Sequence, residues 1–248
     1  MESLEGALSI LLSHAKPVTD AQELPLLDAL NRIAAEDVVS LMNVPPFNRS
    51  PLDGYALHSE DIADASREHP AVVKVIGEAC AGCGDVFRPA RGEAVRVMTG
   101  APVPETCDCV IRQEDTDEGM DYAEIYAPVS HGRNICLAGE DVAAGEVLVH
   151  AGEKLTATHL AVLAGVGQAR VKVVRRVRAA LLCTGDELTQ PGQPLTFGKI
   201  YDSNQMALTA RLAELGVECV QLGELSDDPQ NVADALAHAA LEADIILT

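Results

Sequence analysis

Two acidic segments in the last third of the chain carry side chains able to hold a hard cation beside an anion. Thr184-Gly185-Asp186-Glu187 follows the apolar run Ala179–Cys183, and Ser226-Asp227-Asp228-Pro229 follows the run Val217–Leu222. Amides in a Thr-Gly turn can meet an anion, and carboxylate oxygens suit Mg2+, which commonly takes one or two of them plus substrate oxygens. Glu187 and Asp227 are therefore the candidate Mg2+ ligands, with Thr184, Gly185 and Asp186 as candidate substrate contacts. A structural reading competes at both places. Asp186 or Glu187 can cap a short helix, and Asp228 before Pro229 has the form of an N-cap followed by proline at the first helical position. Asp227 is the carboxylate that such a cap leaves over.

A third constellation comes earlier. Ser50-Pro51-Leu52-Asp53-Gly54-Tyr55 and Met98-Thr99-Gly100-Ala101-Pro102 are rigid turns, each presenting one small polar side chain, Asp53 or Thr99. Such turns hold a group in place at low entropic cost. The alternative is that Asp53 only closes an Asx-type turn before Gly54. Cys80-Ala-Gly-Cys83 with Cys107-Asp-Cys109 lacks the paired CxxC spacing of a structural zinc site, so these read as loop or filler cysteines. The seven histidines show no metal-type pairing.

The elements that must position these residues follow from periodicity. Leu4, Leu8, Leu11 and Leu12 mark a helix stopped by Pro17, and a second helix is expected from about Asp20 through Leu24, Leu27, Leu30 and Ala34. Residues 56–135 read as short strands, at Val72–Ile76, Ala94–Met98 and Cys109–Arg112, punctuated by Gly and Pro. Thr156 opens a helix that ends at Gly165 or Gly167, and a Val-rich strand follows. In that strand Arg170, Lys172, Arg176 and Arg178 are expected to share one face, most simply a solvated one. From Ala179 the order is strand, a helix capped by Asp202 and ended at Gly216, strand, a helix capped by Asp228, and a strand from Asp244. That is the pattern of a doubly wound parallel sheet, in which ligands bind beyond the carboxyl ends of strands. A chain ending at Thr248, on such a strand end, reads as cut within its domain.

Composition narrows the partners. Asp and Glu number 38 against 18 Lys and Arg, a net charge of −20, which opposes binding to duplex nucleic acid. Aromatics are 3% of residues with no Trp, too few for base-stacking platforms. Hydrophobic residues at 48% are enough for a sizeable core, no run is long enough for a membrane span, and the acidic start lacks a secretory n-region. An odd count of seven cysteines fits reduced thiols and a cytoplasmic setting.

Taken in series, PPFNRSPLDGYA (45–56), VRVMTGAPVPE (95–105), Gly139-Glu140-Asp141, TGDEL (184–188), IYDSN (200–204) and DDP (227–229) resemble the MoeA family of molybdopterin molybdenumtransferases, to which the gephyrin E domain is related. The resemblance covers nearly the whole chain. It implies a multi-domain α/β fold: a linker domain at 1–44 and 136–175 with helices and strands, a β-rich inserted domain at 45–135, and at 176–248 an incomplete doubly wound, MogA-like molybdopterin-binding domain. The family's next motif, Gly-Gly-Val-Ser, would follow Thr248.

The resemblance further implies insertion of molybdenum from molybdate into adenylylated molybdopterin, with release of AMP and a need for Mg2+. It implies a homodimer with a cleft drawn from both subunits, and a MogA-like adenylyltransferase as a further partner. It places catalytic positions at Asp53, Thr99, Asp141, Glu187 and Asp227, and a matched turn at Asp202, Ser203 and Asn204. A fragment of this length is expected to be inactive alone. The alternative from another class is a non-catalytic scaffold or pterin-binding module of the same fold. Two departures stand out: Asn48-Arg49 where relatives tend to have Asp-Asn, and Cys136 where they usually have arginine.

Overall fold

The computed structural model describes residues 3–225 and 228–248. In chain order the elements are α1 (Leu4–His14), β1 (Ala21–Pro25), β2 (Val38–Val39), β3 (Gly54–Leu57), β4 (Ala71–Ala79), β5 (Glu93–Val97), β6 (Cys109–Arg112), β7 (Tyr122–Ile125), β8 (Val147–Val149), α2 (Ala157–Gly165), β9 (Arg170–Val174), β10 (Arg178–Thr184), β11 (Leu188–Thr189), β12 (Ile200–Tyr201), α3 (Ser203–Glu214), β13 (Glu218–Leu225), α4 (Pro229–Glu242) and β14 (Ile245–Leu247). They fall into two compact units, one of Met1–Asp37, Val149–Leu160 and Ala169–Thr248, the other of Val38–Leu148 and Ala161–Gln168.

The second unit is organised by a mixed five-stranded sheet in the order β6-β3-β5-β4-β7. β3 runs antiparallel to both β5 and β6, β4 parallel to β5 and antiparallel to β7. Alternation along the strands fills a core on each face. Tyr55, Leu57, Ala94, Cys109 and Ile111 go to one side with Val73 and Ile125, whereas Ala56, Val95, Val97 and Val110 go to the other. A strand with no solvent face reads as a continuous apolar run, as Tyr55–Leu57 does. Fully burying each large side chain stabilises by about 1.5–3 kcal/mol, so this sheet is a stiff base for its turns.

In the first unit β10 lies between β13 and β14, all parallel, with α3 and α4 as the crossovers. Ala179–Leu182 of β10 are buried, which is why this segment has no polar alternation. The helices start and stop on the residues expected. Asp202 accepts the Gln205 amide at 2.9 Å, Asp228 accepts those of Gln230 and Asn231 at 2.8 and 3.1 Å, and Gly216 takes φ +73 after α3. Asp244 joins two strand starts by accepting from the Arg178 amide at 2.8 Å and from both Arg175 Nη atoms at 2.7 Å.

Two expectations are corrected. The segment from Asp20 is not a helix: Ala21–Pro25 pair antiparallel with Arg170–Val174, and only a 3-10 turn, Leu26–Ala29, follows. Pro25 ends the strand, and the pairing buries Val171 and Val173, which a free helix at Leu24–Ala34 would leave uncovered. The basic run is not one strand face either. Arg170 and Lys172 are exposed on β9, but β9 ends at Val174, Arg176 lies in the connection and Arg178 begins β10.

Candidate functional site

Asp53 and Thr99 come together because β3 and β5 are antiparallel with Gly54 opposite Val97, so the residue before one strand meets the turn after the other. The Thr99 N–H and its hydroxyl both donate to Asp53 Oδ1, at 2.7 and 2.8 Å. These two bonds, the backbone one first, hold the Asp53 carboxyl below its ordinary value, with the Arg96 guanidinium adding a smaller push. The carboxylate is thus kept ionised, half-exposed, on a fixed turn. Local sequence explains the fixity. Gly54 has no alternative, since a Cβ there would lie 1.9 Å from the Ile111 carbonyl oxygen, and Gly100 takes φ +83 while donating to the Ser50 carbonyl at 2.8 Å. Sequence reading missed Arg96. Its Nε is buried with no hydrogen-bond partner, and a lone charged residue amid the buried stretch 94–97 was the available signal.

Asp141 sits on the neighbouring turn, its N–H donating to the Val44 carbonyl at 3.0 Å while its exposed carboxylate makes no hydrogen bond or ion pair among the described residues. Between these turns runs Arg49, bridged antiparallel to Pro102 on one side and Cys136 on the other. The Arg49–Cys136 pair exchanges both backbone bonds, at 3.0 and 2.9 Å. The two departures from the family pattern are therefore partners across one bridge. Glu140 and burial push the Cys136 thiol up, Arg49 pulls against them, and Arg49 Nε is itself buried without a partner.

The other unit carries the strand-end residues. Thr184 closes β10 exposed, and Gly185 has φ +151 with the Glu187 carboxylate folded over it, Oε2 only 2.8 Å from where a Cβ would stand. The Asp186 carbonyl accepts from Lys199 Nζ. β11 and β12 then pair in parallel, and the Glu187 carbonyl accepting from Ile200 and the Thr189 carbonyl from Asp202 deliver the chain to Asp202, Ser203 and Asn204. Ser203 and Asn204 are exposed on the first turn of α3, whereas Asp202 is 3% exposed. Its Oδ1 caps the helix and its Oδ2 is buried with no hydrogen-bond partner. Burial and this carboxylate raise the Cys183 thiol. Ser226 and Asp227 lie outside the described residues, so the pairing of Glu187 with Asp227 does as well. Among the described residues no three His, Cys, Asp or Glu side chains converge as a metal site. The donor chemistry still fits Mg2+, which asks for only one or two carboxylates when an anionic substrate brings the rest: the Glu187 carboxylate is exposed and has no hydrogen bond or ion pair among the described residues.

The cysteines resolve differently from one another. Cys80 and Cys83 form a disulfide, where reduced loop thiols were expected, and Cys107 and Cys109 are buried, their thiols pushed up to about 12 chiefly by desolvation.

Residues 2–167 match the model of the MoeA N-terminal region (domain I and II). The chain belongs to the MoeA family. Residues 180–248 match a probable molybdopterin binding domain. Among curated relatives, the molybdopterin molybdenumtransferase of Haemophilus influenzae is 36% identical over 252 residues, covering 100% of this chain and 60% of that protein. Molybdopterin molybdenumtransferase 2 of Mycobacterium tuberculosis is 34% identical over 238 residues, 96% of this chain and 58% of that one. This MoeA chain thus spans about 60% of the length of such relatives. Two crystal structures of molybdopterin biosynthesis moeA protein from Pyrococcus horikoshii superpose with TM-scores of 0.89 and 0.88, at 38% and 32% identity, over 98% and 99% of this chain and 62% and 65% of theirs. No described helix is long and apolar enough to cross a membrane.

Proposed function

We propose that the protein serves molybdenum cofactor biosynthesis as a molybdenumtransferase. It would take molybdate and adenylylated molybdopterin, transfer molybdenum to the pterin dithiolene and release AMP, with Mg2+ required. Family membership supports the reaction class, and the clamped, ionised Asp53 with Thr99 is the observation that carries it here. A fixed carboxylate and a hydroxyl on one rigid turn suit the orientation of a substrate whose own charges must be held still. Bound Mg2+ would supply charge neutralisation for the phosphates. Glu187, together with Asp227, would hold it, Thr184, Gly185 and Asp186 would meet the anion, and Asp202, Ser203 and Asn204 would line the nucleotide-pterin site. Asp141 would join Asp53 and Thr99. Arg49, with a buried unpartnered Nε beside Cys136, stands in for the cation that relatives carry at that neighbouring position.

A homodimer in the cytoplasm is part of the same reading. The exposed Leu4, Leu8, Leu11 and Leu12 of α1, a helix that buries none of its residues, support a subunit contact. The MogA-like adenylyltransferase would provide the adenylylated substrate. Molybdate-dependent AMP release by Asp53→Asn and Glu187→Gln in the full-length protein, measured beside pterin binding, tests the proposal. Loss of release with binding kept is expected. Unchanged turnover in both variants would leave the pterin-binding scaffold as the better account.

A further inference from the structure

The basic run around β9 separates into residues with partners and one without. Arg170 pairs with Glu23 at 3.1 Å, Lys172 with Glu36 at 3.1 Å, Arg178 with Glu218 at 3.6 Å, and Arg175 with both Asp20 at 3.0 Å and Asp244 at 2.7 Å. Arg176 has no ion pair among the described residues. It lines a cavity of about 610 Å³, lying wholly within the first unit, together with Arg32, Lys154 and Arg175. Arg32 and Lys154 also lack ion pairs among the described residues, where the Arg32 side chain gives one hydrogen bond, from Nη2 to the Val174 carbonyl at 2.9 Å. The charge of this wall is anomalous. In a chain with 38 acidic residues against 18 basic ones, four cations and no carboxylate line the cavity. Burial and the repulsion of Arg176 hold the Arg32 guanidinium below its ordinary value, the mark of two cations kept close without a counter-charge.

The wall is also built, not incidental. Asn31 at φ +63 and Gly152 at φ +86 make the turns, while Asn31 donates to Leu155 at 2.9 Å, Ala34 to Glu153 at 2.9 Å, Gly152 to Ala34 at 2.9 Å and Val174 to Ile33 at 2.8 Å. This backbone lattice surrounds Arg32, whose own N–H donates to the Ala29 carbonyl and whose carbonyl accepts from Leu155, and Arg176 follows two residues after its last strand residue, Val174.

We propose that this cavity binds a phosphate-bearing anion through Arg32, Lys154 and Arg176. Guanidinium forks match phosphate oxygens in pairs, which a point charge does not. The volume lies in the range of about 300–1,000 Å³ usual for small-ligand sites, and Ile33, Val177 and Val217 offer an apolar wall to an organic group. The site is independent of Asp53, Thr99 and Glu187, so its failure would leave the transferase reading intact.

Calorimetric titration of the protein with inorganic pyrophosphate, and separately with ADP, tests the site. Saturable binding that weakens with added salt is expected, reduced by about tenfold or more in Arg32→Gln/Arg176→Gln and unchanged in Arg91→Gln, a cation of the other unit that pairs with Glu60 and Asp61. Preference for ADP assigns the apolar wall to an organic moiety, and equal affinity assigns the ligand to the phosphates alone. Amide resonances of the parent protein give a check that needs no variant: pyrophosphate should shift Thr19, Asn31 and Gly216. The proposal is overturned if those resonances stay still or if the double variant binds as the parent does. It is overturned equally if the variant only lowers the melting temperature with no pyrophosphate response in the parent, since the cations would then serve merely the C-terminus of α3, whose cap Leu215 faces the same cavity.

Discussion

Replacing Gly54 by alanine should be among the most damaging single-methyl changes in the protein, and the reason is backbone geometry. The added Cβ would stand 1.9 Å from the Ile111 carbonyl oxygen, 2.9 Å from its carbon and 3.0 Å from the Arg112 Cα. A real Cβ does not come within 3.0 Å, so β3 and β6 must part by about 1 Å where Gly54 opposes Arg112. No rotamer relieves this, because the obstacle is main chain. Overpacking of this kind costs about 1–3 kcal/mol, and stretching one or two ladder hydrogen bonds adds about 0.5–1.5 kcal/mol each, so a loss of about 3–4 kcal/mol is expected. Against a typical total of about 5–15 kcal/mol, that is enough to shift a urea midpoint visibly. Circular dichroism in urea measures it, with Asp53→Asn as the companion that alters the clasp and leaves the strands alone. The same displacement should carry Asp53 away from Thr99 and raise its carboxyl toward the ordinary value, read by carbon NMR. A Gly54→Ala protein within 1 kcal/mol of the parent, with the Asp53 titration unmoved, would refute the reasoning.

Thr99→Val removes one of the two bonds to Asp53 Oδ1 but keeps the amide, so the Asp53 carboxyl should rise yet stay below its ordinary value. The stabilisation it gives is present above the unfolded-state value and fades as pH falls through the lowered one, so NMR titration of the variant should show that fading at a higher pH than in the parent. Asp244, held at about 2 by the Arg175 guanidinium and the Arg178 amide, behaves likewise. Asp244→Asn should cost about 1 kcal/mol at neutral pH, allowing for the screening of a partly exposed pair, and thermal melts should show the gap closing as pH drops from about 4 to about 2. Leu8→Asp with Leu11→Asp should convert a dimer to a monomer in sedimentation velocity with the circular dichroism spectrum kept, and a parent that sediments as a monomer would end the α1 contact.

The readable parts of this chain were those governed by neighbours in sequence. Asp202 and Asp228 cap helices because an Asp before Ser-Asn or Pro can satisfy the first free amides from a few residues away. Gly216 could be placed because a left-handed residue ends a helix, and Ala179–Cys183 because a strand covered on both faces carries no polar residue. What failed depended on distant partners. The leucines at 24, 27 and 30 have helical spacing, but Val171 and Val173 lie about 150 positions away and take Ala21–Pro25 as a strand instead. Nor did spacing announce that Cys80 would bond Cys83, or that Arg176 would be the one cation of its run left without a carboxylate partner among the described residues.

Arg49 and Cys136 show how such a partnership changes the meaning of a substitution. Taken singly, a basic residue at 49 adds a charge to its turn, and a thiol at 136 offers none. Across an antiparallel pair that exchanges both main-chain bonds, the two side chains leave the sheet on the same side, with Cα atoms about 5.5 Å apart. A guanidinium on a three-carbon stem spans that interval, so moving the arginine from one strand to its partner keeps a cation over the same surface while altering its angle of approach. The small Cys136 leaves room for it, and the buried Arg49 Nε remains available to an acceptor. Exchanging the residues, Arg49→Cys with Cys136→Arg, should therefore preserve anion binding and stability far better than Arg49→Cys alone. If the double exchange is no better than the single loss, the two positions are not one site.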